Sequence, residues 1–210
     1  MCDSPGCTDP DHLIAGYRRF RATTWPQERE RFAALADGQE PRTLVISCSD
    51  SRVDPQTIFG ARPGELFVVR NVAALVPAYE PDNHHHGTSA AIEYAVRVLG
   101  VTQIAVLGHA RCGGVRAMVE GTPKEAGDFV RHWVSMAQPA LRHIPRDSAP
   151  QEVLTLCECE VVRFSQSNLL RFPWIAEAVS GGRLQINGFR FDILTGRLER
   201  VVPNGLIPIP

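Results

Sequence analysis

The run "TLVIS", residues 43 to 47, constrains this chain more than any other stretch. It is short, β-branched and free of polar alternation, the pattern of a strand covered on both faces. Two further apolar runs follow, "LFVVRNV" at 66 to 72 and "QIAVLGH" at 103 to 109. Between them lies "GTSAAIEYAVRVLG", in which Thr88 or Ser89 can cap a helix, Ala91, Ala95, Val98 and Leu99 form its apolar stripe, and Gly100 ends it. Strand, helix and strand in that order imply parallel pairing. The expected fold class is α/β, a mostly parallel central β-sheet flanked by helices.

Before the first strand, "HLIAGYRRFRA" and "PQERERFAALA" read as two helices parted near Trp25-Pro26, an N-terminal arm placed to clasp something. Residues 124 to 142 and 151 to 171 read as two more helices, the second with Val153, Cys157, Val161 and Phe164 down one face. The close, "RLQINGFRFDILTGRLERVV", reads as a strand, a Thr195-Gly196 turn and a last strand. A chain of 210 residues suits one core, so a single domain over 1–210 is expected, with 1–36 as tail and helical arm and 37–210 as the α/β core.

The 22 Lys and Arg nearly balance 23 Asp and Glu, which leaves no broad basic field for nucleic acid. No segment has the length of a membrane span or the makeup of an export signal, so a cytoplasmic protein with no membrane partner is expected. In that compartment the six cysteines are expected to stay reduced.

In parallel sheets the working site lies at the carboxyl ends of the strands. The first strand ends in "ISCSDSRVDP", which brings Cys48, Asp50 and Arg52; the third ends in "GHARCGG", which brings His109 and Cys112. Two thiols and an imidazole suit tetrahedral zinc, and three protein ligands leave the open fourth position of a catalytic site. Cys48 alone would be an ordinary small core residue, and a lone His-x-x-Cys is weak; their joint placement is what counts. "GHARCGG" is not a phosphate loop, because Gly114 and Val115 stand where lysine and a hydroxyl residue are needed. Asp50 could close the fourth position, and the planar fork of Arg52 can hold it away.

Together, "CSDSR" and "GHARCGG" resemble the motifs of the β-class carbonic anhydrases. The resemblance runs from Tyr17 to Val202 through "PGELFVVRNVA", "GTSAAIEYAV", "SNLLRFPWI" and "FDILTGRL". It implies zinc on Cys48, His109 and Cys112, an Asp50-Arg52 dyad, and reversible hydration of carbon dioxide to bicarbonate and a proton. The plant-type branch of that family shapes its carbon dioxide pocket from glutamine, phenylalanine, valine and tyrosine, matched here by Gln39, Phe67, Val72 and Tyr94. There the first two reach in from a neighbouring subunit, which implies a homodimer or a dimer-of-dimers tetramer. The regulatory bicarbonate site of another bacterial branch matches Val45, Arg70 and Phe191, where two of three polar handles are missing, so no such site is expected.

Zinc makes its bound water acidic enough to supply hydroxide, and two thiolates cancel its formal charge, so activity is expected to rise on the alkaline side of neutral. Asp50, held by Arg52, would orient the nucleophile, with the Gly113 N–H as donor to the developing bicarbonate oxygen and Gln39 as a second donor. Two other readings compete: a carbonyl sulfide or carbon disulfide hydrolase, and a non-catalytic bicarbonate-binding protein. The pocket residues argue against the first and the intact dyad against the second. "NHHHG" at 83 to 87 and "MCDSPGC" with His12 receive no metal role, and Cys159 falls off the helical stripe without an explanation.

Overall fold

The computed structural model describes residues 11–145 and 147–210; Cys2 and Cys7 lie outside them. Packing groups the chain into two units that divide after Gln39. In the first, α1 (Asp11–Arg19) runs through a π-helical turn (Phe20–Thr24) into α2 (Trp25–Leu35). The expected parting at Trp25-Pro26 is therefore a widened turn. Pro26 lacks an N–H and its ring would meet a carbonyl one turn back; the Trp25 N–H reaching five residues to the Phe20 carbonyl makes the room. Phe20, Trp25 and Phe32 pack their rings at 5.1 to 6.3 Å, while Leu13, Ile14 and Tyr17 stay exposed.

The second unit is built on β1 (Thr43–Cys48), β2 (Leu66–Asn71), β3 (Gln103–His109), β4 (Gln185–Phe191), β5 (Leu198–Val202) and β6 (Gly205–Pro208). These form a six-stranded sheet in the order β2-β1-β3-β4-β5-β6. The first four pair in parallel, and β5 and β6 continue antiparallel, so the sheet is mixed. The three apolar runs fold as expected. Leu44, Ile46, Ile104 and Val106 enter one core layer and Val45, Ala105 and Leu107 the other, which is why β1 and β3 carry no polar alternation.

The helices are α3 (Pro55–Ile58), α4 (Gly87–Glu93), α5 (Gly113–Glu120), α6 (Val130–Ser135), α7 (Pro150–Leu169) and α8 (Pro173–Ser180). Among the described residues no helix is long and apolar enough to cross a membrane. After α4 the chain makes a second π-helical turn, Tyr94–Val98, and the extra residue rotates the stripe: Ile92 and Ala95 are buried, whereas Val98 is 64% exposed. Neither Thr88 nor Ser89 caps α4; His86 holds that position, and the Thr88 hydroxyl lies 3.3 Å from Asn71 Nδ2. The helix expected over 124 to 142 is divided into α6 and two short 3-10 segments around Gly127 and Pro139, residues that interrupt the backbone ladder.

Helix α7 is buried on two sides. Cys157 and Val161, with Val153 and Phe164, face the cluster that includes Cys48 and Cys112; Cys159, Val162 and Leu169 face the opposite one, which accounts for Cys159. It lies close on β3 and β4 because Gly108 and Gly188 lack side chains. A Cβ at either would come within 2.6 or 2.7 Å of a Val162 methyl.

Candidate metal centre

Parallel pairing places the ends of β1 and β3 side by side, and each ends in a ligand. Cys48 closes β1, His109 closes β3, and Cys112 precedes the first residue of α5. Their ligand atoms lie within 4.8 Å of one another and all three residues are buried. The two sulfurs are 3.9 Å apart, against about 3.8 Å for two thiolates on one tetrahedral zinc ion. His109 Nδ1 lies 2.9 Å from the Ala110 carbonyl, which needs a donor, so Nδ1 carries the proton and Nε2 the lone pair. That Nε2 is buried without a hydrogen-bond partner among the described residues. An orphaned imidazole lone pair facing two thiols fits a soft divalent cation. The hydrogen bond between the two thiols draws the Cys48 thiol well below the usual thiol range, against the penalty of burial, and the same contact, with burial, pushes Cys112 up. A cation between them would replace the shared proton.

Asp50 Oδ2 stands 3.9 Å from His109 Nε2, within reach of anything bound there. Arg52 engages both carboxylate oxygens, and its own N–H adds a third bond at 3.0 Å. The guanidinium holds the Asp50 carboxyl well below the usual carboxylate range. Arg70 braces the same loop: its guanidinium donates to the carbonyls of Cys48, Asp50 and Val53 at 2.7 to 3.1 Å. Val45 is fully buried in the core beside β2, and Phe191 packs against the same cluster.

The loops around the centre are bent the unusual way. Ala73, Ala74 and Arg111 are the non-glycine residues with positive φ among those described, and all three follow strand ends at this site. Sequence reasoning passed over the groups that hold them. Asn71 clamps Leu75 through both backbone groups at 2.8 Å, Trp133 Nε1 donates to the Val72 carbonyl at 2.7 Å, and Ser165 and Asn168 of α7 bond the backbone of Ala74 and Val76. The available signal was the polar pair Ser165 and Asn168 at helical spacing, close to the apolar stripe of α7.

The pocket residues separate into two groups. Val72 lies beside the centre, where a Cβ on Gly114 would come within 2.7 Å of its methyl, and Gly113 opens onto free space. Phe67 is paired opposite Leu44, four residues and about 13 Å along β1 from Cys48. Tyr94 keeps it company, with ring centroids 5.9 Å apart. Gln39 belongs to the first unit. The fold thus collects Cys48, Asp50, Arg52, Val72, His109, Cys112 and Gly113 and leaves Phe67 and Tyr94 elsewhere. His86 pairs with Asp82 at 2.7 Å.

A sequence model described as carbonic anhydrase matches residues 43–198. Beta carbonic anhydrase 3 of Arabidopsis thaliana is 33% identical over 195 residues, covering 90% of this chain and 75% of the relative. Among solved structures, the β-carbonic anhydrase CcaA superposes with a TM-score of 0.87 at 29% identity, covering 95% of this chain and 92% of that one. One of two tetrameric β-carbonic anhydrases from the filamentous ascomycete Sordaria macrospora gives 0.78 at 29% identity, with coverage of 91% and 95%. The Cys-His-Cys cluster on an α/β sheet and these likenesses converge: the chain belongs to the β-carbonic anhydrase family and is a carbonic anhydrase.

Proposed function

We propose that this protein is a zinc-dependent enzyme that hydrates carbon dioxide reversibly to bicarbonate and a proton. The observation that carries the reading is the orphaned His109 Nε2, facing two buried thiols beside a carboxylate that Arg52 already occupies. Cys48, His109 and Cys112 would hold the zinc ion, which when bound makes a water molecule acidic enough to act as nucleophile near neutral pH.

The chain's own residues do the rest. Asp50, kept ionised by Arg52, accepts a hydrogen bond from the attacking water and aims its lone pair at the substrate carbon. The Gly113 N–H, at the start of α5, donates to the oxygen on which charge develops. Val72 walls the pocket and excludes water. Phe67, with Tyr94 beside it, completes the pocket of a partner subunit together with Gln39; the distance along β1 from Phe67 to Cys48 supports that division. The assembly is a homodimer or a tetramer of two such dimers, with the exposed Leu13, Ile14 and Tyr17 of the arm as clasping surface. Residues 1–210 act as one domain with that arm, in the cytoplasm, where the four described cysteines stay reduced, Cys157 and Cys159 as thiols and Cys48 and Cys112 as zinc ligands.

Metal analysis of the purified protein alongside stopped-flow carbon dioxide hydration tests this. One zinc ion per chain with proton release on mixing is the expected result. Zinc without hydration, but with hydrolysis of carbonyl sulfide or with bicarbonate binding alone, would replace the reading.

A further inference from the structure

Arg111 lies between His109 and Cys112 with φ +57, and both its backbone N–H and its carbonyl are held. Its carbonyl accepts from Arg52 Nη2 at 3.2 Å, the same nitrogen that bonds Asp50 Oδ2 at 2.7 Å. Its N–H donates to Glu158 Oε1 at 2.6 Å. Glu158 is 5% exposed, and its other oxygen takes Arg190 Nε and Nη2 at 3.0 and 2.9 Å. Arg190 is 6% exposed and passes on to Glu199 Oε2 at 2.9 Å.

The register explains how these groups meet. Arg190 on β4 stands opposite Gly108 on β3 and Glu199 on β5, and the missing side chain at Gly108 admits α7. Glu158 lies one helical turn before Val162, which occupies that gap, and so comes under the loop that follows β3. Helix α7 is already docked there by Val162. A buried ion pair pays for desolvation with an attraction that barely covers it, so apolar residues would dock the helix as well. What Glu158 adds is a fixed, charged acceptor for one N–H.

We propose that Glu158, fixed by Arg190, is a positioning residue of the reaction: by holding the Arg111 N–H it fixes the backbone bend at Arg111, whose carbonyl on the other side of the bend steadies Arg52, and Arg52 in turn keeps Asp50 in place. The proposal rests on the functional reading above. Groups that orient a metal centre's surroundings contribute about ten- to a hundredfold when removed.

The test uses zinc-loaded full-length protein and three measurements: turnover per bound zinc, melting temperature, and the proton resonance of the Arg111 amide. In wild type, a short bond to a carboxylate should place that resonance far downfield. Glu158→Gln should move it upfield and lower kcat about tenfold or more at unchanged zinc content. The same change in an Asp50→Asn background should lower kcat little further, because both act through one chain of contacts. If Glu158→Gln does not fold, Glu158→Asp keeps the charge towards Arg190 but withdraws from Arg111 by one methylene, and the same results are expected. Glu160→Gln, whose carboxylate pairs with Arg163 and His143, should move neither resonance nor kcat. A fall in melting temperature with normal turnover per zinc, or a loss of the same factor in both backgrounds, would overturn the proposal. Should wild type itself fail to hydrate carbon dioxide, the functional reading falls, and the Arg111 resonance decides whether Glu158 anchors the peptide.

Discussion

Arg52 grips Asp50 through two parallel hydrogen bonds, Nε to Oδ1 at 2.9 Å and Nη2 to Oδ2 at 2.7 Å. Both carboxylate oxygens are engaged, yet Oδ2 remains 3.9 Å from the imidazole that faces the metal position. Asparagine at 50 keeps the shape but removes the charge and one acceptor. Asp50→Asn should therefore retain zinc while turnover falls about a hundredfold or more. Unchanged turnover per zinc would remove Asp50 from the chemistry.

The same pair has a signature in stability. The folded chain favours ionised Asp50, so its contribution is fully present above the ordinary carboxylate range and is lost as pH falls through the lowered folded value. The melting-temperature gap between wild type and Asp50→Asn should be constant through neutral pH and close only in strong acid. A gap that closes near neutral pH would mean that another group titrates.

His109→Ala removes the nitrogen ligand while Cys48 and Cys112 keep their places on β1 and before α5. Zinc occupancy and hydration should both collapse, while far-ultraviolet circular dichroism stays close to wild type, because the sheet core is built from apolar side chains apart from the centre. Retained stoichiometric zinc would mean that some other group can replace the imidazole.

Gly108→Ala would place a methyl 2.6 Å from Val162 Cγ2. Val162 is β-branched and inside a helix, so it cannot rotate away. A loss of about 1–3 kcal/mol in denaturant unfolding is expected. Val162→Ala in the same chain should recover part of it, and a double variant no better than the single would show that the clash lies elsewhere.

Phe67 and Cys48 are distant on one chain, so a shared assembly can be tested by complementation. Chains carrying Phe67→Ala and chains carrying Cys48→Ser should each be poorly active. After mixing under conditions that exchange subunits, activity should exceed the sum of the two. Strict additivity would mean that Phe67 serves its own chain's centre.

Much of this was legible in the sequence, and where reading stopped has physical causes. The three core strands and both ligand motifs were visible because "TLVIS", "CSDSR" and "GHARCGG" are contiguous and their chemistry is local. Strand β6 and helix α8 were passed over, since four residues and an eight-residue apolar segment carry little periodicity. The stripe after α4 was misplaced because one inserted residue in a π-helical turn changes which side is buried, and no residue type marks such a turn. Glu158, Ser165 and Asn168 were missed for another reason. They sit on α7 among apolar neighbours, and their partners Arg111, Ala74 and Val76 are 47 to 92 residues away.

The left-handed bends at Ala73 and Ala74 have a consequence for the order in which the molecule matures. They are held from α7 by contacts 89 to 92 residues away in sequence, and Arg111 is held by the same helix. A growing chain could pair β1, β2 and β3 and still own a shapeless ion-binding corner, because contacts so remote form late. Metal capture should then be the closing act of biogenesis, possible once residues 150 to 169 have settled on the sheet.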